Sequence, residues 1–327
     1  MEITQIIFLV IIYVNIFSFL NVHLNIFVIS KIFNITLKIP GKGNHRIYYP
    51  GDSNNCKLNV IHPPDEVIIN GISQDIINYT YYFNETENTV KIKYYSKEDV
   101  NNVAINRCFF YLCSEVNEID LTEFDTSQFN NMFGMFSECF KLKSLKLSNF
   151  DTSNVIDMHL MFHRCESLTS IDLSTFDTKN VNNMDRMFYR CEAILSLDLS
   201  NFNTSKVENI DRMFEGCISL TSLNLSNFDT SKMIKMNRTF YNCNNLEYLN
   251  LKNFKNELNV KNEDFYNTPE NIVICTCSEP IINITNSKNC SLITCDDNWI
   301  EQQKKINTEN NECVIDCSNI NYKYRNL

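Results

Sequence analysis

Apolar and polar positions repeat through the middle of the chain with a period of 26 residues. One full unit, residues 145–170, reads LKLSNFDTSNVIDMHLMFHRCESLTS. One apolar column contains Phe124, Phe150, Phe176, Phe202, Phe228 and Phe254. Two further columns keep the same step and contain Phe136, Phe162, Phe188, Phe214, Phe240 and Cys139, Cys165, Cys191, Cys217, Cys243. Cys113 lies one period earlier, so a degenerate half-unit precedes the array, and these columns are predicted to form its core.

Each unit contains three kinds of local pattern. Residues 142–147 (LKSLKL) alternate, which predicts a strand with one buried face. Residues 148–153 are rich in Ser, Asn, Asp and Thr, which favour a turn. Apolar residues of the stretch 155–165 recur at spacings of three and four, which predicts a short helix or 3₁₀ segment.

Such a unit is too small to fold alone. About nine buried side chains at roughly 1.5–3 kcal/mol each stabilise it by about 15–25 kcal/mol. Ordering its backbone costs ~1–2 kcal/mol per residue, which is at least as much. We therefore expect equivalent segments to stack on one another, with a parallel sheet along one side.

The motif LDLSNFxTSxVxNxxxMFxxC carries a resemblance to a known family. It is visible at residues 197–217 and again around 171–191. These residues resemble the leucine-rich repeats of the BspA-like type, in particular the 26-residue repeat of bacterial surface proteins, over roughly 113–254. The resemblance implies an α/β fold, a curved right-handed leucine-rich-repeat solenoid, and a surface-exposed adhesive or antigenic protein. It implies no particular ligand.

The segments on either side of the repeats have other patterns. Residues 31–112 contain the alternating runs ITLKI, EVIINGI and NTVKIKYY between Gly and Pro, which predict a β-rich N-terminal cap. Cys56 and Cys108 could be bridged within it. The solenoid is assigned to 113–274, with residues 272–274 as its last strand.

Residues 275–327 form a polar segment with an even number of cysteines: Cys275, Cys277, Cys290, Cys295, Cys313 and Cys317. This favours a disulfide framework, which requires an oxidising compartment. The alternative is a zinc site built on Cys275 and Cys277. The segment has no C-x₂-C pair and no histidine, so we predict disulfides and no metal.

The repeat cysteines need a different explanation. Equivalent residues of neighbouring parallel strands lie about 4.8 Å apart with parallel Cα–Cβ vectors. A disulfide needs Cβ atoms about 3.8 Å apart and a dihedral near ±90°. We therefore predict that Cys139, Cys165, Cys191, Cys217 and Cys243 are buried free thiols.

The N-terminus is strongly apolar. Residues 6–20 read IIFLVIIYVNIFSFL, and apolar character resumes to residue 29. Residues 1–30 are predicted to be a secretory signal or a signal anchor, with possible membrane attachment through 6–29. Glu2 and the absence of an A-x-A-like cleavage site count against this. The alternative is a buried helix.

Net charge excludes one class of partner. The chain carries −10 at pH 7 and contains no cluster of Lys and Arg, so no nucleic acid is expected to bind. The richness in Asn, Ile and Lys indicates an A/T-biased genome. At this Asn content the N-x-S/T sequons arise by chance: Asn34, Asn78, Asn84, Asn203, Asn224, Asn237, Asn283 and Asn289. A glycan on Asn224 would argue against ligand binding beside it.

One polar column defines the candidate binding surface. The concave face is predicted to display Asp120, Lys146, Asp172, Asp198, Asn224 and Asn250, with serines on both sides and Tyr248 as its one aromatic residue. We interpret this column as a docking strip for a protein or a glycan. The alternative is a solvated β-face whose small side chains ease curvature.

Two other groups of residues have the side chains that calcium binding or catalysis would need. The aspartates of the F-D-T-S motif, such as Asp151, could suggest calcium, but Asn203 replaces one of them, so turn closure explains them better. His159 and His163 flank Cys165, but the other units have no equivalent histidines, so no catalytic role is predicted. The chain also lacks GxSxG, HExxH, Walker A and GxGxxG motifs.

The sequence therefore predicts a non-enzymatic surface or secreted binding module for adhesion, without a cofactor or metal. Its expected partner is a protein or glycan ligand outside the cell. The alternative is a structural spacer of the cell coat without a specific ligand.

Overall fold

The structure is a computed structural model of the chain. It describes residues 33–48, 56, 63–76, 79–94, 107–255, 260–269, 272–276, 278, 281, 291–293, 305–307 and 322–324. The predicted signal or anchor segment lies outside these residues. So does most of the Cys-rich segment, including the side chains of all six of its cysteines.

The described elements are strands and one short 3₁₀ helix. The strands are β1 (Phe33–Pro40), β2 (Gly43–Arg46), β3 (Glu66–Ile69), β4 (Ile72–Gln74), β5 (Thr80–Phe83), β6 (Glu87–Tyr94), β7 (Glu118–Glu123), β8 (Ser144–Lys146), β9 (Ser222–Asn224), β10 (Tyr248–Leu251), β11 (Val273–Thr276), β12 (Ser291–Ile293), β13 (Lys305–Asn307) and β14 (Tyr322–Tyr324). The 3₁₀ helix is Asn262–Phe265. The sheet orders are β4-β3-β6-β1-β7-β8, β12-β11-β10-β9, β13-β14 and β2-β5.

The N-terminal strands and the first repeat belong to one sheet. The three alternating runs form β1, β3 and β6, and β6 buries every second side chain as its pattern requires. β1 pairs antiparallel with β6 on one side and with β7 on the other. β7 then pairs in parallel with β8. The N-terminal strands are therefore joined directly to the strand side of the repeats.

The predicted α/β leucine-rich-repeat solenoid is wrong, because residues 107–255 contain no helix. Two positions of each unit, four residues apart, have a positive φ that a right-handed helix excludes. The first column contains Cys108, Gly134, Leu160, Arg186, Arg212 and Arg238, and the second contains Leu112, Glu138, Arg164, Arg190, Gly216 and Asn242. The segment expected to be helical is thus a series of turns.

Hydrogen bonds between units replace those of a helix. The amides of Met158, Leu160 and Phe162 donate to carbonyls 25 residues further on, at 2.9–3.0 Å. The amide of Met161 instead donates to the carbonyl of Met158, three residues back. Successive turns of this kind place apolar side chains three and four residues apart. This is why the sequence pattern imitates a helix.

The predicted continuous parallel sheet is also absent. On the strand side, β7 pairs with β8, and β9 pairs with β10 and β11, but residues 147–221 contain no strand. A single parallel bridge joins Ser196 to Ser222. The longer series of parallel bridges lies on the turn side and joins Asn131, Asp157, Asn183, Asn209 and Lys235.

Equivalent side chains stack in register through the core. The ring of Phe162 lies 5.5 Å from that of Phe136 with an interplanar angle of 1°, and 5.5 Å from that of Phe188. The same stack continues through Phe214, Phe240 and Phe265. A second stack joins Phe150, Phe176 and Phe202. All of these rings are buried, and each ring pair contributes about 0.5–1.5 kcal/mol beyond the area it buries.

The repeat cysteines are free thiols, as predicted. Cys113, Cys139, Cys165, Cys191, Cys217 and Cys243 are all buried and unbridged. Burial raises the pKa of each thiol, so each is protonated and available as a donor. A disulfide joins Cys56 to Cys108, a pairing that the sequence had left open, and it links residues 52 positions apart. The predicted last strand, 272–274, overlaps the first half of β11, namely Val273 and Ile274.

Candidate ligand-binding face

The predicted docking strip is only partly exposed. Asp120 lies in β7 and is half-buried, and Lys146 in β8 is exposed. Asp172, Asp198 and Asn224 are exposed. The other two members, both in β10, are buried: Tyr248 and Asn250. The described surface therefore lacks the one aromatic side chain that the strip was expected to present.

Most carboxylates and amides of this strip close turns. Oδ1 of Asp172 accepts the backbone N–H of Ser174 at 2.9 Å, and Oδ1 of Asp198 accepts that of Ser200 at 3.0 Å. In the same way, the N–H of the residue two positions later donates to Oδ1 of Asp120, Asn224 and Asn250. Hydrogen bonds from the side chains of Ser174 and Ser200, together with these backbone bonds, lower the pKa of Asp172 and Asp198. The strip is thus held rigidly, but one oxygen of each side chain is committed to the fold.

The F-D-T-S aspartates behave in the same way. Oδ1 of Asp151 accepts the N–H of Ser153 at 2.8 Å, and Oδ1 of Asn203 accepts the N–H of Ser205 at 3.1 Å. An amide therefore fills the position as well as a carboxylate does. The prediction that these residues close turns is confirmed.

The polar face of the N-terminal sheet adjoins the strip. Thr36 of β1 lies between Lys91 of β6 and Asp120 of β7 in the strand register. Two residues earlier in β1, Asn34 lies between Lys93 of β6 and Glu123 of β7. This face and the strip meet at Asp120. Sequence reasoning missed the connection, because nothing in the pattern of β1 indicates that β7 is its second partner.

A pocket of about 200 Å³ opens on this face. The register of β1 against β7 shifts between Asn34 and Thr36, which marks a β-bulge. A bulge bends its strand and re-aims the neighbouring side chains. The pocket is lined by Asn34, Thr36, Lys91, Lys93, Asp120, Thr122 and Glu123. Its walls therefore carry two cations from β6 and two carboxylates from β7.

A network of ion pairs fixes the β7 side of the pocket. Nζ of Lys146 lies 2.9 Å from Oε1 of Glu118 and 3.2 Å from Oδ2 of Asp120, and Nζ of Lys38 lies 3.2 Å from Glu118. The hydrogen bond from Lys146 holds the pKa of Glu118 below its usual value. Burial pushes the pKa of Asp120 upward, but hydrogen bonds from Thr122 and Lys146 outweigh it and leave the pKa lowered. Both carboxylates are ionised at neutral pH.

His159 and His163 lie on the turn side of the repeats. Nε2 of His159 lies 3.1 Å from Oδ2 of Asp185, and that oxygen accepts a hydrogen bond from Arg186 at 2.6 Å. The ring of His163 stacks on Tyr189 at 5.0 Å, and burial lowers the pKa of His163 to about 4. The thiol of Cys165 has a raised pKa and donates to a backbone carbonyl. A protonated, buried thiol is a poor nucleophile.

The described residues include no metal-binding cluster and no membrane-spanning helix. None of them form a group of three or more His, Cys, Asp or Glu side chains that could hold a metal ion. A helix with the length and apolar character of a membrane span is likewise not found among them. The disulfide between Cys56 and Cys108 is typical of proteins that fold in an oxidising compartment.

Fold and site define a stacked-repeat protein whose N-terminal sheet presents a charged polar pocket. Two stretches, 103–196 and 168–271, match the family described as "Mycoplasma protein of unknown function, DUF285". The matches together span just over half of the chain, and the chain belongs to this family. This is consistent with a BspA-like surface protein but does not establish the leucine-rich-repeat type. No curated protein and no solved structure matches the chain.

Proposed function

We propose that the chain is a non-enzymatic binding module that acts outside the cell or on its surface. The observation that carries this proposal is the polar pocket between β1, β6 and β7, where a bulge exposes charged side chains on a rigid sheet. Rigid strands position contact residues better than loops do. The disulfide between Cys56 and Cys108 supports an extracellular location.

Adhesion to a protein or glycan suits this face better than tight binding of a hydrophobic partner. The lining residues are polar or charged, and the pocket contains no aromatic side chain. High-affinity protein interfaces are usually built around buried aromatic and arginine anchors. A face of this kind gives modest affinity per contact. Display of many copies on one surface raises the effective affinity.

The proposal is tested by surface exposure together with binding. Protease treatment of intact cells should cleave the chain, and the purified full chain should bind an immobilised glycan or matrix protein saturably. Thr36→Arg places a long side chain in the pocket and should abolish that binding. Thr80→Arg is the matched control, since Thr80 is exposed on the separate β2-β5 sheet. Saturable binding that both variants retain would contradict the use of this face.

A structural spacer of the cell coat is the second candidate, and one observation favours it. Many polar side chains of the repeats bond to the neighbouring repeat rather than point freely to solvent. Thr178, for example, is buried and bonds to both the N–H and the C=O of Asn203. Such hydrogen bonds between neighbouring repeats make the stack more rigid. Tight wall association of the chain without any saturable ligand would select the spacer over the binding module.

A further inference from the structure

We infer that the pocket between β1, β6 and β7 binds a carboxylated saccharide unit, a sugar ring that carries one negative charge. This inference rests on the proposed binding function and names its ligand class. Three features of the pocket support it: its cations, its hydroxyl-binding groups and its size.

The cations lie on β6. Lys91 and Lys93 are two residues apart and therefore point to the same face of the sheet. Nζ of Lys93 lies 2.9 Å from Oε2 of Glu66, which holds that lysine in place. Within the described part of the chain, no carboxylate forms an ion pair with Lys91. Lys91 is therefore the lysine of the pocket whose ammonium group is left for a ligand carboxylate.

The opposite wall suits hydroxyl groups. The side-chain amide of Asn34 donates to Glu123, and Oδ1 of Asp120 accepts both the N–H and the hydroxyl of Thr122. These bonds hold the two carboxylates in fixed positions while leaving acceptor sites unused, since each carboxylate has about four. Thr36 lies between the two walls and can donate or accept.

This division of charge selects one kind of ligand. A sugar hydroxyl donates to the carboxylates of Asp120 and Glu123, and a ligand carboxylate accepts from Lys91. A phosphate with nearly two negative charges would be repelled by the carboxylates of Asp120 and Glu123 more strongly than a ligand that carries one negative charge. A neutral sugar would leave Lys91 without a partner.

The size of the pocket suits a single saccharide unit. Its volume is about 200 Å³, below the roughly 300–1,000 Å³ that is usual for drug-sized ligands. No aromatic side chain is present for stacking, so hydrogen bonds and the charge of Lys91 must provide the affinity. We expect a dissociation constant for a free monosaccharide of about 1 mM, with tighter binding only to surfaces that present many units.

The test is titration of the full chain with sodium glucuronate, followed by NMR, with glucose and inorganic phosphate as comparison ligands. Glucuronate should bind saturably, and glucose and phosphate should bind at least about tenfold more weakly. Lys91→Met should weaken glucuronate binding about tenfold or more. Lys42→Met is the matched control, because Lys42 is exposed in the turn after β1, away from the pocket. It should bind as the wild type does.

A second variant keeps the inference testable if Lys91→Met is unstable. Thr36→Val removes only the hydroxyl in the middle of the pocket and should weaken glucuronate binding a few-fold. Equal binding of glucuronate and glucose, preferential binding of phosphate, or unchanged affinity in a folded Lys91→Met variant would overturn the inference.

Failure of this inference is distinguishable from failure of the proposed function. If the chain binds a matrix protein or neutral glycan saturably but ignores glucuronate, the binding module stands and the acidic ligand is wrong. If glucuronate binds at Lys91 but intact cells do not expose the chain to protease, the pocket stands and the surface role is wrong.

Discussion

The thiol of Cys165 donates a hydrogen bond to the backbone carbonyl of Phe136, with Sγ and O 3.2 Å apart. The same bond, always to the carbonyl 29 residues earlier, is made by Cys139, Cys191, Cys217 and Cys243. Each thiol therefore joins its own unit to the preceding one. These cysteines do more than fill space, because each thiol is a second donor to a buried carbonyl that already accepts the N–H of the residue three positions later.

The first prediction concerns the redox state of these thiols. After denaturation without reductant, a maleimide should label the six repeat cysteines that are free in the structure. Cys56 and Cys108 should be labelled only after reduction, because they are bridged. The measurement is peptide mass spectrometry of each labelled site. Loss of label at Cys165 or Cys191 in the unreduced sample would show that the repeat thiols are bridged.

A second prediction concerns the buried threonine of the turn. Thr178→Val conserves shape but removes the hydroxyl that accepts the N–H of Asn203 at 2.8 Å and donates to its C=O at 3.0 Å. Two part-buried hydrogen bonds between units are then lost, so the free energy of unfolding should fall by about 1–3 kcal/mol. Urea unfolding measures this.

The matched control is Thr169→Val, because Thr169 is exposed and its backbone alone bonds to the next unit. It should change stability by less than about 0.5 kcal/mol. Equal effects of the two substitutions would show that the hydroxyl of Thr178 does not join the units.

The third prediction uses a glycine substitution at Arg190 to distinguish a series of turns from a helix. Arg190 has φ +52, a left-handed conformation that costs a side chain roughly 1–2 kcal/mol. Arg190→Gly should therefore leave stability unchanged or raise it by up to about 1 kcal/mol, although it removes the exposed ion pair with Glu192. In a helix, glycine at this position would lower stability by about 1 kcal/mol instead. Thermal unfolding of the variant and the wild type decides the sign.

A fourth prediction follows from His163. Burial lowers its pKa in the folded chain to about 4, from 6.5 when unfolded. Between these pH values the unfolded state binds more protons, so this residue makes stability fall as pH decreases from about 6.5 to about 4. The loss should amount to ~1–3 kcal/mol.

His163→Phe keeps an aromatic ring against Tyr189 but cannot titrate. The difference in unfolding free energy between wild type and variant should change over this pH range and level off above pH 7. A difference that is constant with pH would mean that His163 is as solvated in the folded state as in the unfolded one.

The period and the core were predictable because they depend on side-chain chemistry alone. Phe162 and Cys165 recur in every full unit, and only burial explains apolar residues at a fixed step. A local apolar run likewise indicated a strand at 272–274, whereas the sequence offered the bridge between Cys56 and Cys108 only as one possibility. The polar bonds between units were not predictable in the same way.

The asparagines illustrate why. An A/T-biased genome accounts for the high number of asparagines in the sequence. In the structure, however, the side-chain amide of Asn201 donates to the carbonyls of Leu173 and Phe176 in the preceding unit. Asn227 makes the equivalent bonds one unit later. A single sequence shows that Asn recurs but not which carbonyls face it. The frequent asparagines therefore form hydrogen bonds that join the units, whatever the origin of their number.

The helix was mispredicted for a related reason. A spacing of three and four is common to an amphipathic helix and to successive turns that each close over three residues. The deciding property is the sign of φ at positions such as Leu160 and Arg164, and neither residue type signals a left-handed conformation. Glycine does so, and Gly216 occupies the same column as Arg164 in a later unit. Gly134, in the column of Leu160, was a second clue of the same kind.

The central claim is that units of 26 residues stack through turns and parallel bridges rather than through helices. Backbone NMR chemical shifts across residues 155–165 of the full chain test it most directly. We predict no continuous run of helical shifts, with left-handed shifts at Leu160 and Arg164. An unbroken helical run through these residues would contradict the claim.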